Sequence, residues 1–385
     1  IQNFPNSSIK MKAEFHVSEK NLIQAMGNVF QKLDIGLNKE LSKIQFGTVI
    51  DLNKTKSKLA IGTDQSDIYE MNLPSENKFY DTDFLISGRY VRMREITSGI
   101  RSMKYIEEDD LIYGTVDGNV YQNTEQRFAD DNGAKGSING VFNLTDRDVL
   151  ISNSLGYLTY VQENASSGSY AQLPHVDIKH DINVIDFSHK SSIIATNGRL
   201  SEIEFWGCPP GGDINFKEKI RIEGMRSKVT SLKFIEDKNW IIIGTQEGTL
   251  FIYSFLEDKV IFENKSAHLS ALTVLALDPL SRFIVSGGRD NKINVWDIDL
   301  LSGDYVPIVH QMNQAIQDIA FIGNDWFVSL SRGQSNLGTD RNSVGRMSLW
   351  SVDLDLFAKK LAQSEKTWLI EDFEYNDVYQ KYIPN

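Results

Sequence analysis

The stretch that most constrains the fold of this chain is residues 267–298, AHLSALTVLALDPLSRFIVSGGRDNKINVWDI. It contains three apolar runs of strand length, at residues 273–277, 283–286 and 293–296. Two turn signals, Asp278-Pro279 and Gly287-Gly288, separate these runs. The pattern therefore predicts three consecutive strands joined by tight turns.

The same stretch resembles a WD40 repeat, complete to its closing Trp296-Asp297. The resemblance implies a buried polar network, whose four members are here His268, Ser286, Asp290 and Trp296. In such a network an indole N–H, a hydroxyl, an imidazole and a carboxylate bond one another in a chain, and no member is left unpaired. Because WD repeats recur in arrays, we expect these four residues to be a structural tetrad rather than a catalytic site.

The cycle of strand, turn, strand, turn and strand recurs seven times along the chain. The units start at residues 44, 100, 138, 182, 229, 273 and 316. Most of these spacings lie near the roughly 40–45 residues expected of a WD40 blade. We predict an all-β fold, a single seven-bladed WD40-type β-propeller, whose radial packing hides the strand edges. The units other than the sixth are expected to keep the apolar pattern and to lack the polar network.

Sequence also separates the propeller from its two flanks. Residues 38–43 are expected to supply the outer strand that closes the seventh blade. Before them, residues 1–37 are interpreted as a linker and a helix, with Ser18 as its N-cap. After the last unit, residues 354–385 are interpreted as a short helical tail. The predicted domains are therefore residues 1–37, 38–353 and 354–385.

Composition limits the environment and the partners of the chain. The formal net charge of −12 argues against a surface for nucleic acid or for an anionic membrane. The single cysteine, Cys208, cannot form an internal disulfide and favours a reducing, cytoplasmic location. No apolar run approaches the roughly 20 residues needed to span a bilayer. Because the first residue is Ile1 and not Met, we suspect that the chain is a piece of a longer protein.

No catalytic or metal-binding pattern emerges from the sequence. The phosphate-binding motif of P-loop NTPases is absent. The histidines that lie nearest one another, His175, His180 and His189, fit no zinc spacing. Cys208 precedes two prolines and is interpreted as a loop thiol rather than a nucleophile. We expect no catalytic residues, no metal and no cofactor, and we assign any catalytic activity to another domain or partner.

Partner binding is expected on the longest loops, because propellers recruit partners through loops held by a rigid ring. These loops fall at residues 74–99, 162–180 and 332–345. Arginine and tyrosine are the residue types that often dominate binding energy at interfaces. The candidate partner-binding residues are Arg89, Tyr90, Arg92, Arg94, Arg332, Arg341 and Arg346. The alternative is that these arginines are solvated and balance nearby acids.

Both ends of the chain carry a second resemblance. Residues 21–41, NLIQAMGNVFQKLDIGLNKEL, resemble the helix that leads into the WD repeats of large bacterial signalling proteins. In those proteins the propeller follows a STAND-type NTPase, a caspase-like protease or another effector domain. Residues 367–384, TWLIEDFEYNDVYQKYIP, are similar to the short tail that follows their propeller, although the usual Tyr-x-x-Thr-Cys ending is absent.

Three functional hypotheses follow. The first is a non-catalytic module for protein interaction or ligand sensing, the C-terminal sensor or autoinhibitory part of a bacterial STAND-type or caspase-like defence or signalling protein. Its partner would be another protein or the effector domain of the same polypeptide. The second is a stand-alone WD40 scaffold subunit of a multiprotein complex. The third is an enzyme built on a propeller scaffold.

Overall fold

The computed structural model describes most of the repeat region. The described residues are 39–43, 47–73, 75, 87–92, 98–106, 109–123, 125–129, 136–145, 148–163, 170–172, 175–199, 201–211, 213–302, 305, 307–312, 314–331 and 345–352. The helices predicted within residues 1–37 and 354–385, and the domain boundaries drawn there, lie outside this part of the chain.

The first half of the repeat region folds into three antiparallel sheets, preceded by strand β1 (Lys39–Lys43), which belongs to the last sheet. The first blade contains β2 (Gly47–Leu52), β3 (Lys58–Thr63), β4 (Asp67–Asn72) and β5 (Ser87–Arg92). The second contains β6 (Ile100–Tyr105), β7 (Leu111–Thr115), β8 (Asn119–Gln122) and β9 (Glu125–Ala129). The third contains β10 (Ile138–Asn143), β11 (Asp148–Asn153), β12 (Tyr157–Glu163), β13 (Tyr170–Gln172) and the short β14 (Val176–Asp177), which also pairs with β12.

Four further sheets follow the same plan. The fourth blade contains β15 (Ile185–Ser188), β16 (Ile193–Asn197), β17 (Glu202–Gly207) and β18 (Asn215–Arg221). The fifth contains β19 (Val229–Ile235), β20 (Trp240–Thr245), β21 (Leu250–Ser254) and β22 (Lys259–Asn264). The sixth contains β23 (Leu272–Leu277), β24 (Phe283–Gly288), β25 (Lys292–Asp297) and β26 (Ile308–Gln311), with a short 3-10 helix at Ile298–Leu300. The seventh contains β27 (Ile316–Phe321), β28 (Trp326–Ser331), β29 (Arg346–Ser351) and β1.

The seven sheets close into a ring, and two observations show this. Seven clusters of buried apolar side chains lie one at each junction between neighbouring blades, including the junction between the seventh blade and the first, where Val328 and Ile50 share a cluster. Strand β1 pairs antiparallel with β29 and so joins the first residues described to the last. The prediction of an all-β, seven-bladed propeller is confirmed.

Hydrogen bonds between inner strands stitch neighbouring blades together. In six of the seven blades the pairing of the first two strands has a bulge near the start of the inner strand. In three of these blades a threonine hydroxyl beside the bulge donates both to a carbonyl of its own blade and to one of the next. The bonds to the next blade are Thr48 Oγ1 to Ile100 O (2.6 Å), Thr230 Oγ1 to Leu272 O (2.5 Å) and Thr273 Oγ1 to Ile316 O (2.8 Å).

The strand order gives the ring two different ends. Because the strands of each blade alternate in direction, the connections between blades and the turns between second and third strands lie at one end, which we call the upper face. The turns between first and second strands, and between third and fourth strands, lie at the other end, the lower face. Within the described residues, no helix is both long enough and apolar enough to cross a membrane.

Candidate protein-docking face

The tetrad of the sixth blade is one continuous chain of hydrogen bonds. Trp296 Nε1 donates to Ser286 Oγ at 2.9 Å, and Ser286 Oγ lies 2.8 Å from His268 Nε2. His268 Nδ1 lies 2.9 Å from Asp290 Oδ1. Each group gains a partner when the serine hydroxyl donates to Nε2 and the Nδ1–H donates to the carboxylate. Because these side chains are almost fully buried, losing one member would leave its neighbour unpaired and desolvated.

Asp290 also holds the surface of the sixth blade in place. Its Oδ2 accepts the backbone N–H of Leu269 at 2.9 Å, and its Oδ1 accepts that of Lys292 at 3.2 Å. Burial by itself would raise the pKa of Asp290, but the hydrogen bonds from His268 and from these N–H groups lower it below its usual value. The carboxylate therefore stays ionised at neutral pH and fixes the turn that carries Leu269.

This turn packs directly against the fifth blade. The N–H of His268 donates to Gly248 O at 2.9 Å. Gly248 has a φ of +85°, and a Cβ there would lie 2.2 Å from the His268 carbonyl oxygen, so only glycine allows the two turns to approach this closely. On the other side, the N–H of Gln246 donates to Lys228 O at 2.9 Å. The upper turns of the fifth and sixth blades therefore form one continuous, backbone-linked surface.

We call this surface the upper arc. It consists of Arg226, Lys228, Glu247, Leu269 and Arg289, all of them exposed. Leu269 is 77% exposed although it follows a fully buried histidine. Arg289 is anchored beside it, because its N–H donates to Ala271 O at 2.9 Å. An exposed leucine next to arginine and lysine side chains, on turns fixed from beneath, is the composition of a binding surface rather than of a solvated loop.

The two faces differ in what their cations do. On the lower face, lysines and arginines form ion pairs between blades: Lys58 with Asp109, Lys238 with Asp299 (3.1 Å) and Arg282 with Asp325 (3.0 Å). On the upper arc, the side chains of Arg226, Lys228 and Arg289 have no ion pair or hydrogen bond within the described part of the chain. The lower cations are engaged in joining blades, whereas the upper ones are available to a partner.

The arginines predicted to bind a partner do not gather on this arc. Arg89, Tyr90 and Arg92 lie on β5, the outer strand of the first blade, opposite Glu70, Tyr69 and Asp67 of β4, so they are strand residues rather than loop residues. Arg346 is the first residue of β29 in the seventh blade. Arg94, Arg332 and Arg341 lie outside the described residues. The sequence-derived set therefore remains a prediction, and the upper arc is a surface that sequence reasoning missed.

Half of the tetrad recurs in the seventh blade. Trp350 Nε1 donates to Ser329 Oγ at 2.7 Å, and both residues are buried. Trp350 lies opposite Phe327, just as Trp296 lies opposite Ile284. The expectation that every other blade lacks the polar network was wrong for this blade, because an indole N–H and a hydroxyl can satisfy each other without the imidazole and the carboxylate.

The fourth blade has the same residue types but not the same bonds. Trp206 and Thr196 occupy the strand positions of Trp296 and Ser286, as their register shows. Neither Trp206 Nε1 nor Thr196 Oγ1 has a hydrogen-bond partner within the described residues, although both atoms are buried. The imidazole of His180 turns elsewhere and lies 3.0 Å from the carboxylate of Glu204.

Charged side chains of the inner strands form a second set of contacts between blades. Asp51 accepts from Lys104 Nζ and from the N–H of Tyr105, both at 2.7 Å. Asp186 repeats this arrangement three blades away, accepting from Lys233 Nζ at 2.9 Å and from the N–H of Phe234 at 2.8 Å. These carboxylates and ammonium groups neutralise one another, so we interpret them as structural clasps.

A third carboxylate closes the ring at the junction between the last and first blades. Asp318 Oδ2 accepts the N–H of Ile50 at 2.7 Å, and Oδ1 accepts that of Ile319 at 2.8 Å. Burial raises the pKa of Asp318 to about 7, and the nearby Asp51 adds to the increase, while these hydrogen bonds and Lys104 oppose it. This junction therefore contains a carboxyl that titrates near neutral pH.

The structure offers no chemistry to the predicted loop thiol. Cys208 is buried in the apolar cluster between the third and fourth blades. Burial, with a contribution from Asp148, raises its pKa to about 11, so the thiolate is scarce at neutral pH. Among the described residues there is no group of three His, Cys, Asp or Glu side chains that could hold a metal ion.

Comparison with known families agrees with this geometry and defines the class of protein. Residues 261–297, which contain the tetrad, match the family model described as WD domain, G-beta repeat. In solved structures, the computationally designed Ika8 protein is similar over 82% of this chain and 100% of its own, with a TM-score of 0.53 and 18% identity, which supports the fold alone. The chain is a seven-bladed β-propeller with a WD40 repeat in its sixth blade.

Curated relatives match shorter parts of the chain. The zebrafish (Danio rerio) tRNA (guanine-N(7)-)-methyltransferase non-catalytic subunit wdr4 is 34% identical over 150 residues, which is 37% of this chain and 34% of that protein. WD repeat-containing protein 3 of mouse (Mus musculus) is 33% identical over 69 residues, 18% of this chain and 7% of that protein. The human protein of the same name is 35% identical over 71 residues, with the same shares. The chain thus matches about a third or less of the length of each relative.

Proposed function

We propose that this chain is a non-catalytic docking module that binds a protein partner on its upper face, centred on the upper arc. The observation that carries the proposal is the exposure of Leu269, at 77%, on a turn fixed by the buried tetrad. A rigid, exposed apolar side chain binds a partner without a large ordering cost. The cations around it have no partner within the described residues, so binding does not have to break an existing ion pair.

The proposal excludes catalysis by this chain itself. The buried polar groups of the inner strands, including the Asp51 and Asp186 carboxylates, are occupied in joining blades. The thiol of Cys208 is buried and protonated at neutral pH. The zebrafish relative is named as a non-catalytic subunit, which supports the same role.

Two molecular arrangements fit such a module. A stand-alone scaffold subunit of a multiprotein complex is supported by the zebrafish relative, a subunit by name. A sensor fused to an effector is supported by the resemblance of residues 21–41 and 367–384 to bacterial STAND-type and caspase-like proteins. In the sensor, the effector domain of the same polypeptide would dock on the arc until a trigger shifts the equilibrium. We favour the scaffold, because its support comes from aligned sequence.

The mass of the intact native polypeptide separates the two arrangements. A mass well above the 43.6 kDa of this chain would favour the sensor and would direct attention to the attached effector. A mass that matches this chain would exclude the fused sensor. We propose a cytoplasmic location for either arrangement, which fractionation of the native cells would check.

Site-specific photo-crosslinking tests the docking face. A photoreactive amino acid is placed at Leu269 on the upper face or, as a matched control, at Leu256 on the lower face, because both leucines are 77% exposed. In native cells we expect a protein adduct from position 269 and little from position 256. Adducts from position 256 alone, or equal adducts from both positions, would contradict the proposed face.

A further inference from the structure

We infer that the segment that docks on the upper arc is an acidic peptide with an apolar side chain near its centre. This inference rests on the proposed docking function and specifies the chemistry of the partner. It follows from the charges, the continuity and the exposed leucine of the arc, which together describe a complementary ligand.

The charge of the arc is opposite to that of the whole protein. The formal net charge of the chain is −12. On the upper turns of the fourth to sixth blades, however, four exposed cations are Arg199, Arg226, Lys228 and Arg289. The exposed carboxylates among them are Glu223 and Glu247. The cations therefore exceed the carboxylates locally, and none of the four has a side-chain partner within the described residues. An acidic ligand is complementary to such a surface.

The cations and the leucine belong to one connected surface. Lys228 is linked to the turn of the fifth blade through the Gln246 N–H, and Glu247 donates its N–H to Ser227 Oγ at 3.1 Å. That turn contacts the connection that carries Leu269, which Asp290 links to Arg289. The order across the surface is therefore cation, turn, leucine, cation. A peptide crossing it would place carboxylates at both ends and an apolar side chain against Leu269.

A peptide fits these observations better than nucleic acid does. A polyanion with one charge per phosphate would meet Glu223 and Glu247 in the same patch, as well as the overall negative charge of the protein. Proteins that bind single strands stack bases on exposed aromatic side chains. The arc contains an exposed leucine instead, and the exposed aromatic among the described large apolar residues, Phe216, lies on the outer strand β18.

A binding assay with defined probes tests the inference. The probe is a fluorescent peptide of about twelve residues, roughly 40 Å when extended, rich in Asp and Glu around a central Leu-Phe pair. Its controls are the same peptide with Asn and Gln for Asp and Glu, and a single-stranded oligouridylate. We expect the acidic peptide to bind with at least about tenfold higher affinity than the neutral one, with an affinity that falls as salt rises.

Matched variants locate the binding. The triple variant Arg226→Glu, Lys228→Glu and Arg289→Glu should weaken binding of the acidic peptide by about tenfold or more. The control variant Lys217→Glu with Lys259→Glu reverses two exposed lysines on the outer strands β18 and β22, and it should bind like the parent. Leu269→Ser should weaken the acidic and the neutral peptide alike. Thermal melting of each variant confirms that it is folded.

The outcomes separate this inference from the proposed function. If the neutral peptide binds equally well and Leu269→Ser weakens it, docking on the arc stands and the acidic chemistry is wrong. If the triple variant binds the acidic peptide as tightly as the parent, or if the oligouridylate binds more tightly through the same residues, the inference is overturned. Absence of binding by every peptide also overturns it, whereas crosslinking from Leu269 decides independently whether a protein docks there.

Discussion

The sixth and fourth blades have the same strand register and a similar set of polar residues, yet they differ in how those residues are satisfied. In the sixth blade, Trp296 and Ser286 belong to a complete network. In the fourth, Trp206 and Thr196 occupy the same positions and have no partner within the described residues. At the place of Asp290 the sequence has Leu200. The network is therefore a property of the whole set rather than of any single residue type.

The difference also shows what the tetrad is for. Both blades form four-stranded sheets with apolar clusters on either side, so a complete tetrad is not required to build a blade. What the sixth blade gains is a fixed upper turn, because Asp290 holds the N–H of Leu269. The apolar pattern and the clasps between blades build the ring, and the tetrad fixes one part of its surface.

The largest expected effect comes from removing one hydroxyl in each blade. Ser286→Ala leaves the buried Trp296 and His268 nitrogens without their shared partner, and we expect the free energy of unfolding to fall by about 3 kcal/mol. Thr196→Val removes a hydroxyl that has no partner, and we expect a change within about 0.5 kcal/mol. Urea unfolding measures both. Equal losses would show that the two blades do not differ as described.

A second expected effect is the pH dependence of the tetrad. The folded pKa of Asp290 is lowered, so its stabilisation is present above the unfolded pKa of about 4 and is lost as pH falls through the folded pKa. Asp290→Asn should lower the free energy of unfolding by about 1–2 kcal/mol at pH 7. The difference between parent and variant should shrink below about pH 4. A difference that stays constant down to pH 2 would contradict the ionised carboxylate.

A smaller effect of opposite sign is expected at the ring junction, away from both blades compared above. Because the pKa of Asp318 is raised to about 7, the folded state holds its proton more tightly, and the resulting stabilisation is lost as pH rises from about 4 to about 7. The side chain is half-buried, so the change should stay below about 1 kcal/mol. Carboxyl ¹³C NMR of Asp318 should show the midpoint, and Asp318→Asn should remove this part of the pH profile. A midpoint near 4 would refute the assignment.

The smallest effect on stability is expected at the surface that the tetrad supports. Leu269→Ser and Leu256→Ser each replace a leucine that is 77% exposed, so each should change the free energy of unfolding by less than about 0.5 kcal/mol. Recovery of the native partner by affinity capture should fall for Leu269→Ser and stay unchanged for Leu256→Ser. Equal recovery by both variants would show that the tetrad supports a surface without a binding role.

Much of the ring could be predicted from sequence, because strands alternate with period two and the units recur at a regular spacing. The closing strand expected at residues 38–43 is β1 (Lys39–Lys43), paired with β29. The clasp between Asp186 and Lys233 could not be predicted, because it depends on how neighbouring blades are placed. A carboxylate within an otherwise apolar inner strand was the available signal. Leu269 was missed because a leucine after a buried histidine reads as core, and only the folded turn shows that it faces outward.

Hydrogen exchange of the complex captured from native cells tests the docking face most directly. The free protein and the complex are compared by mass spectrometry, peptide by peptide. The account predicts slower exchange on binding at the upper turns, residues 224–228, 246–248, 268–271 and 289–291, and unchanged exchange at the lower turns, residues 236–239, 279–282 and 323–325. Protection confined to the lower turns, or protection that spares the connection carrying Leu269, would contradict the account.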